Sequence, residues 1–330
     1  MVNNVLIFRT DRIGDLLVTC PTIITIKRYL KNHKITLITS KKNYRYARSL
    51  NLFNEIYEFP DKGLIQKVKF IYQLKKEKPE YVFVFDGKDR SIISAALINA
   101  KYKIAISTKN NLFYKLFKIK FFTSDEGTNL NDVLQKSLNY CHINSKINNY
   151  DFLSKKKDNN FSAYVPVAKW LHIHLDEKWF SHLYIKKYTN IHPTYDGFID
   201  FLNKIPIQHH ILITTGTIDF ELLDELKNKY FEKVNQKIFL RTASNRLIYL
   251  IYKPTFDDLE SLLRNSKILI SCHGAITHAA NSFDVKIVDI IERSREKFYK
   301  KFTLYLKNYS PTFRCDFNLI KTKLLKIIKN

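Results

Sequence analysis

The sequence is poor in the residues that loosen or cross-link a chain, with 7 glycines, 8 prolines and 4 cysteines among 330 residues. The four cysteines are scattered and include no C-x-x-C pair, which argues against a zinc knuckle or a disulfide framework. We therefore expect reduced thiols, as in a cytosolic protein. Because glycine is scarce, any interdomain hinge is expected in the polar segment 144–160 rather than at a glycine pair.

Long apolar runs are missing as well. No stretch reaches the roughly 18 apolar residues that a membrane-spanning helix requires. The opening residues, MVNNVLIFRTDR, have neither the basic stretch nor the apolar core of a signal peptide. These features predict a cytoplasmic protein and leave open a peripheral position on the inner membrane.

The sequence has fewer acidic than basic residues, with 31 Asp and Glu against a total of 55 Lys and Arg, which gives a formal net charge of +24. No basic run is interleaved with aromatic residues, and no helix-turn-helix or RNP-like motif is present, so we expect no nucleic-acid partner. A solvated lysine-rich exterior accounts for this charge. An anionic membrane surface or a phosphorylated substrate are the functional alternatives.

What the sequence does contain is a strict alternation of apolar runs and helical patterns. At 330 residues and 45% hydrophobic composition, the chain is long enough for two domains. Apolar runs with no polar alternation predict parallel strands covered on both faces, and thus two α/β domains. The predicted strands are Val5–Phe8, Lys34–Thr39, Glu55–Phe59, Tyr81–Phe85 and Lys103–Ile106 in the first half, and Leu171–Leu175, His210–Thr214, Leu247–Tyr252, Ile268–Ser271 and Lys286–Ile291 in the second.

The polar segment 144–160 separates the halves, which predicts domains at 1–150 and 151–330. The second ends in a basic amphipathic helix, 318–329. This helix either packs across the domain junction or lies on anionic lipid.

The loop after the first strand reads RTDRIGD and opens a helix. It is not the G-x-G-x-x-G fingerprint of a dinucleotide site. Asp15 could simply be a helix N-terminal carboxylate. A functional role is the alternative, since loops that follow strands are where ligands bind in such sheets.

Two turns in the second half have the composition of phosphate sites. HGAITH (273–278) follows an apolar strand and opens a helix, whose N-terminal N–H groups suit a phosphate. Thr214, Thr215 and Gly216 end another strand and offer hydroxyls and a close backbone approach. Ordinary turns and caps are the alternative for both. The sequence has no convincing D-x-D metal motif, so charge stabilisation without a metal is expected.

Three segments in chain order resemble the heptosyltransferase family (glycosyltransferase family 9). They are the opening strand with R-x-D-R-I-G-D-L-L-x-T-x-P, the segment YVFVFDGKDRSIISAALINA (81–100), and SCHGAITHAANSFDVKIVDI (271–290). The resemblance implies the GT-B architecture, with two Rossmann-like domains whose parallel sheets face a central cleft. It also implies an inverting, metal-independent transfer without a cofactor, from a nucleotide-sugar to a glycan or glycolipid of the lipopolysaccharide core type.

Carried over residue by residue, the family's general base is Asp15, with Asp11 as second candidate. Arg9, Asp11 and Arg12 are assigned to the acceptor in the first domain. The donor side is assigned to Lys178, Thr214, Thr215, Gly216, His273, Gly274, Ala275, Thr277 and His278.

The chain also departs from the family pattern. An acidic residue of the family, thought to touch donor-sugar hydroxyls, is replaced by Cys272 or His273, and His278 matches only with one extra residue after Gly274. The Pro-Gly pair that precedes the family's lysine is missing before Lys178. An epimerase or hydrolase acting on nucleotide-sugars, or an inactive sugar-nucleotide binder, therefore stay as alternatives to a glycosyltransferase.

Overall fold

The computed structural model describes residues 3–107, 115–156, 165, 169–243 and 245–329. The chain forms two compact units, Met1–Phe152 with Lys297–Tyr305, and Leu153–Glu296 with Leu306–Asn330. The predicted boundary at 150/151 is close to this division, but the segment 297–305, predicted in the second domain, groups with the first unit. Part of the predicted linker, 157–160, lies outside the described residues.

The first unit contains a parallel sheet with helices between its strands. Its strands are β1 (Asn3–Arg9), β2 (His33–Thr39), β3 (Glu55–Glu58), β4 (Pro79–Val84), β5 (Tyr102–Ser107) and β6 (Lys120–Thr123). The helices described between them are α1 (Ile13–Tyr29), α2 (Lys41–Ser49), α3 (Leu64–Lys76) and α4 (Asp89–Leu97), and α5 (Leu130–Tyr140) follows β6.

The strand order of this sheet is β3-β2-β1-β4-β5-β6, and every neighbouring pair is parallel. This is the order of a Rossmann fold, in which the chain changes direction across the sheet after the third strand. The loops that follow β1 and β4 therefore meet at the carboxyl edge, at the switch point where ligands bind in such sheets.

The second unit repeats this plan and adds an antiparallel edge. Its strands are β7 (Trp170–Leu175), β8 (His210–Thr215), β9 (Glu232–Lys233), β10 (Ile238–Ala243), β11 (Arg246–Ile251), β12 (Ser266–Cys272), β13 (Lys286–Ile291) and β14 (Tyr309–Phe313). The helices are α6 (Tyr195–Lys204), α7 (Glu221–Glu225), α8 (Phe256–Arg264), α9 (Ala275–Ala280), α10 (Glu296–Thr303) and α11 (Phe317–Lys329), of which α10 lies almost wholly in the segment that groups with the first unit.

The second sheet has the order β14-β13-β12-β7-β8-β11-β10-β9. From β14 to β11 all pairs are parallel, in the same Rossmann order as the first sheet. This sheet is mixed, because β10 pairs antiparallel with both β9 and β11 at an edge that the sequence analysis does not predict. Only residues 244–245 separate β10 from β11, and a connection that short can join only antiparallel strands. The two Rossmann-like α/β units of the sequence analysis are confirmed.

Both cores form because the central strands are apolar on both faces. In β1, Val5, Leu6, Ile7 and Phe8 have no solvent-exposed surface. One cluster in the first unit packs β1, β2, β4 and β5 against α3 and α4, and a larger one in the second unit packs β7, β8, β11 and β12 against α6 and α11. Short elements such as β6 and β14 escape a pattern search. β14 contains Pro311, which an edge strand tolerates because one side of its backbone needs no ladder partner.

The basic C-terminal helix α11 packs on its own unit. Phe317, Ile320, Leu324 and Ile328 are buried in the core of the second unit, and Lys321 Nζ lies 2.7 Å from Asp200 Oδ2 on α6. Most of its apolar face is thus occupied; Leu319, which is 63% exposed, and the other lysines face solvent. Among the described residues, no helix combines the length and apolarity needed to cross a bilayer.

The turn between β4 and α4 requires a glycine. Gly87 has φ +59°, and a Cβ at this position would lie 2.8 Å from the backbone oxygen of Ile106. Gly127 has a similar φ of +87° but would meet no atom within 4 Å. Replacing either glycine by alanine therefore strains the backbone. Only at position 87 would the new methyl group also collide with the backbone oxygen of Ile106.

Gly87→Ala should lower the urea midpoint of unfolding clearly more than Gly127→Ala. We expect about 1 kcal/mol from the left-handed backbone at either position and about 1–3 kcal/mol more from overpacking at position 87. Circular dichroism during urea titration measures both variants. Equal losses would mean that Ile106 can move away from the new methyl group.

Candidate active site

A buried arginine organises the loop between β1 and α1. Arg9 is only 4% exposed. Its Nε and Nη2 donate to the backbone oxygen of Asp15 at 2.8 and 2.6 Å, and Nη1 donates to the backbone oxygen of Phe85 after β4. The guanidinium thus connects the two loops of the switch point. The geometry makes Arg9 a positioning residue for these loops, in place of the direct acceptor contact that the sequence analysis assigns to it.

Asp15 presents an accessible carboxylate on the first turn of α1. Its Oδ2 accepts the backbone N–H of Arg12 at 3.2 Å, as a helix-capping carboxylate would. Its Oδ1 lies 3.9 Å from Arg9 Nη2, and the side chain is 39% exposed. The structural role and the chemical role are therefore compatible, since one oxygen caps the helix and the other faces solvent beside a cation.

Asp11 is more enclosed than Asp15. Its Oδ2 lies 3.2 Å from Arg9 Nη1, and its buried Oδ1 has no hydrogen-bond partner among the described residues. Burial raises the pKa of Asp11 to about 6, against the opposing pull of Arg9 and with help from the charges of Asp15 and Asp86. Near neutral pH the carboxyl therefore changes its charge easily.

The loop after β4 contributes polar residues that the sequence analysis does not name. Asp86 Oδ2 accepts from Thr10 N at 3.0 Å, Thr10 Oγ1 at 2.6 Å and Ser91 Oγ at 2.8 Å. Lys88 Nζ donates to the backbone oxygen of Thr10 at 2.8 Å, and Arg90 Nη2 donates to Thr10 Oγ1 at 3.1 Å. The signal is present in the sequence as DGKDR directly after an apolar strand.

These two loops, together with residues that follow β2 and β3, line an open cavity of about 530 Å³ in the first unit. Its lining includes five cationic side chains and the three carboxylates of Asp11, Asp15 and Asp61. The lining residues are Thr10, Asp11, Arg12, Asp15, Ser40, Lys41, Lys42, Asp61, Lys88 and Arg90. A negatively charged ligand with hydroxyl groups would match this lining.

The second unit has a buried ion pair at the end of β7. Lys178 Nζ lies 2.5 Å from Asp176 Oδ2, and the side chains are 14% and 3% exposed. Burial would lower the pKa of Lys178, but the Asp176 carboxylate outweighs it and holds the pKa above its usual range. For Asp176, burial acts to raise the pKa, and Lys178 together with His174 brings it down to about 2. The pair is therefore fully ionised at neutral pH.

Gly216 and Gly274, which the sequence analysis assigns to the donor side, lie against this ion pair. A Cβ on Gly274 would be 2.7 Å from Lys178 Nζ, and a Cβ on Gly216 would be 2.6 Å from Glu177 Oε2 and 2.9 Å from Asp176 Cβ. Gly274 has φ −179°, which any residue adopts. A side chain at this position would instead displace the Lys178 ammonium group from its place beside Asp176. The ends of β7, β8 and β12 thus bring Lys178, Gly216 and Gly274 together.

The two threonines before Gly216 are buried and make hydrogen bonds inside the second unit. Thr214 is fully buried, and its Oγ1 lies 2.8 Å from His172 Nε2 and 2.9 Å from His174 Nδ1. Thr215 is 2% exposed, and its Oγ1 accepts the backbone N–H of Lys253 at 2.8 Å. Both hydroxyls are engaged within the unit, so the geometry favours the structural alternative over donor contact for these two residues.

His273 stands in front of a buried carboxylate. Its Nδ1 lies 2.7 Å from Asp289 Oδ2 on β13, and Asp289 has no exposed surface. Asp289 also accepts from Tyr309 at 2.9 Å and from Thr277 Oγ1 at 3.4 Å. The turn itself has no acidic residue, and the nearest carboxylate described beside His273 is that of Asp289 on the next strand.

The other residues of this turn support its shape. Thr277 Oγ1 accepts the backbone N–H of Gly274 at 3.3 Å. His278 is 7% exposed and packs edge to face with His273, at a ring distance of 5.2 Å. Burial and the neighbouring His273 hold the pKa of His278 well below its usual range. Ala275 begins α9 and contributes only backbone.

Arg314, directly after β14, is a further residue that sequence reasoning missed. It is 7% exposed. Its Nη1 donates to the backbone oxygen of Lys178 at 2.7 Å, and its Nε donates to that of Thr189 at 2.8 Å. Its Nη2 has no hydrogen-bond partner among the described residues. No sequence motif identifies Arg314, because the preceding strand β14 is not among the predicted strands.

The described ranges contain no group of three or more His, Cys, Asp or Glu side chains placed to hold a metal ion. No protein-family model matches the chain, and no curated protein matches it either.

Solved structures do share the fold. A glycosyl transferase family 9 protein from Veillonella parvula is 12% identical and has a TM-score of 0.64, covering 99% of this chain and 89% of its own. The E. coli heptosyltransferase WaaC with ADP is 10% identical, with a TM-score of 0.66 and coverage of 98% and 99%. The UDP-GlcNAc 2-epimerase from Methanocaldococcus jannaschii is 13% identical, with a TM-score of 0.58 and coverage of 99% and 92%. At these identities the likeness establishes the fold.

Asp11→Asn should stabilise the protein above pH 6. The carboxyl has a pKa of about 6 in the folded chain and an ordinary value near 3.8 otherwise, so the folded state binds its proton more tightly. Stability is therefore lost as the pH rises through this window, and a residue that cannot ionise avoids the loss. We expect a gain on the order of 1–3 kcal/mol at pH 7.5 and almost none near about pH 4.

Urea titrations of both proteins at several pH values measure this difference. A variant that is less stable than the parent at pH 7.5 would contradict it, and would mean that the ion pair with Arg9 outweighs the burial of Asp11.

Proposed function

We propose that this protein is an inverting, metal-independent glycosyltransferase of the heptosyltransferase type. It would transfer a sugar from a nucleotide-sugar to a hydroxyl of a bacterial surface glycan or glycolipid. The observation that carries the proposal is the accessible carboxylate of Asp15, held by a capping bond and a buried arginine at the edge of a cation-lined cavity. The fold shared with a heptosyltransferase that binds ADP supports it.

In the proposed reaction, Asp15 Oδ1 accepts the proton of the acceptor hydroxyl while that oxygen attacks the anomeric carbon. The new carbon–oxygen bond forms on the face opposite the leaving group, and the configuration inverts. The bond to the phosphate oxygen breaks, and the nucleoside diphosphate leaves with the electron pair. Arg12, Lys88 and Arg90 would hold an anionic acceptor in the cavity of the first unit.

The donor half follows from the ion pair at the end of β7. Lys178 offers an ammonium group that Asp176 fixes beside the Gly274 turn. A leaving diphosphate gains negative charge, and a pre-positioned cation stabilises that charge without reorganising. His273 and the backbone of 274–277 would complete the donor contacts. Because the cations are supplied by the protein, we propose that neither a metal nor a cofactor is required.

Nucleotide binding can be tested without knowing the acceptor. Thermal unfolding is followed with ADP, UDP, GDP and their sugar conjugates, and a ligand at 100 times its Kd should stabilise the fold by about 2.7 kcal/mol. Gly274→Ala should weaken the binding at least about tenfold, because its methyl group displaces the Lys178 ammonium group from its charge-assisted position. Gly127→Ala is the matched control and should bind like the parent. No stabilisation by any nucleotide at millimolar concentration would count against the proposed donor site.

Asp15→Asn should lose transfer and keep donor binding. Asn retains an oxygen to accept the Arg12 N–H, so the helix cap survives, but it is not a general base. We expect transfer to truncated lipopolysaccharide cores to fall by about 10²–10⁴-fold while the thermal shift with nucleotide stays unchanged. Loss in Asp11→Asn together with full activity in Asp15→Asn would move the base to Asp11.

The same assay separates the alternatives that share the fold. An epimerase or hydrolase would consume the nucleotide-sugar at equal rates with and without the added acceptor. An inactive binder would show the thermal shift and no turnover. Activity that disappears with EDTA and returns with a divalent ion would overturn metal independence alone.

A further inference from the structure

Helix α3 carries an unusual apolar face on its outside. Leu64, Ile65, Val68 and Tyr72 are between 58% and 78% exposed, whereas the same helix buries Phe70 and Leu74 in the core of the first unit. At 100° per residue the four exposed side chains fall within about 100° of arc. They form one continuous strip, which we call the α3 stripe. Solvent exposure of neighbouring large apolar groups is a cost that marks an interaction site.

The charge around the α3 stripe has one sign. Residues 62–76 include five lysines, Lys62, Lys67, Lys69, Lys75 and Lys76, and no acidic residue. Lys76 Nζ lies 4.8 Å from the ring centre of Tyr72. An apolar strip bordered by lysines and an aromatic ring is the composition of a helix that lies in a lipid interface.

A cationic cavity continues this surface at the carboxyl end of α3. It has a volume of about 770 Å³, and its lining includes Lys75, Lys78, Lys101, Lys103 and Lys118, with Glu80 as the acidic member. Burial, with a smaller contribution from the neighbouring Lys118, lowers the pKa of Lys103. Five lysines and one glutamate around one cavity give it a net positive charge, which would attract an anionic headgroup.

The basic C-terminal helix α11 does not provide such a surface. The apolar side of α11 is buried in the second unit, so its lysines border no accessible apolar strip of comparable width. At its amino end, by contrast, the α3 stripe begins three residues after Asp61, which lines the cavity of the first unit together with Asp15. A lipid-linked molecule could therefore reach that cavity from the same surface.

We propose that the α3 stripe and the adjoining lysines dock this protein on an anionic lipid surface. The apolar side chains enter the interface, and the lysines contact the phosphates of the headgroups. The proposal does not depend on the proposed glycosyl transfer, because lipid binding is measured with no donor or acceptor present.

The test is flotation of the full-length protein with vesicles of phosphatidylcholine alone or with about 30% phosphatidylglycerol, at low and high salt. The protein should bind only the anionic vesicles, and less at high salt. The triple variant Leu64→Ser, Ile65→Ser, Val68→Ser should reduce the partition coefficient at least about tenfold. Its control is Ile207→Ser, Val234→Ser, Leu319→Ser, which removes three side chains of similar exposure from the second unit and should bind like the parent.

A second pair of variants separates local charge from net charge. Lys69→Gln, Lys75→Gln, Lys76→Gln should reduce binding to anionic vesicles at least about tenfold. Lys323→Gln, Lys326→Gln, Lys329→Gln on α11 makes the same change in net charge and should have little effect. All of these lysines are exposed, so unchanged circular dichroism and urea midpoints are expected and are checked.

Three results would overturn the proposal. They are no binding to anionic vesicles, equal loss in both lysine variants, and full binding by the α3 serine variant. Sedimentation without lipid adds a fourth. A concentration-dependent dimer that the α3 serine variant abolishes would assign the stripe to a second copy of the chain.

Discussion

Charged groups placed at the carboxyl edge of each sheet must be paired, because the edge lies next to a dry core. Arg9 in the first unit and Lys178 with Asp176 in the second are nearly inaccessible to water. Removing such charges from water costs several kcal/mol each, and close pairing is what offsets this cost. The positions of the surrounding loops follow from that requirement.

The pairing of these buried charges also determines which charged groups remain available to contact a ligand. Arg9 uses its N–H groups on the backbone of the β1 and β4 loops, so it fixes Asp15 without neutralising it through a direct short contact. In the second unit, the bond to Asp176 occupies one side of the Lys178 ammonium group, and Gly274 leaves the adjacent volume free of a side chain. In the first unit the buried Arg9 orients the accessible carboxylate of Asp15, and in the second unit Asp176 orients the ammonium group of Lys178, whose side chain is only 14% exposed.

Sequence reasoning reached the two-unit fold because the evidence for it is local. A short continuous apolar run such as Val5–Phe8, bounded by polar residues, is typical of a strand covered on both faces, and each such run carries its own signal. It also predicted that Asp15 begins a helix and that Lys178 and Gly274 follow strands, as they do in the structure. It could not identify Arg314 or the β9–β10 edge, since short elements with mixed polarity have no period of their own. Nor could it show that Thr214 faces two histidines, because that depends on the register of β7 against β8.

Transferases and epimerases share this fold, so the fold alone does not select the reaction. The selection has to come from side chains. A fully buried carboxylate such as Asp289 cannot contact a sugar hydroxyl, and His273 stands between it and solvent. A histidine held on an acid can donate a hydrogen bond, whereas the carboxylate of the family pattern can only accept one. Under the proposed function, the donor sugar is therefore the point at which we expect the largest difference from a heptosyltransferase, and Lys178 is the residue proposed to meet the diphosphate.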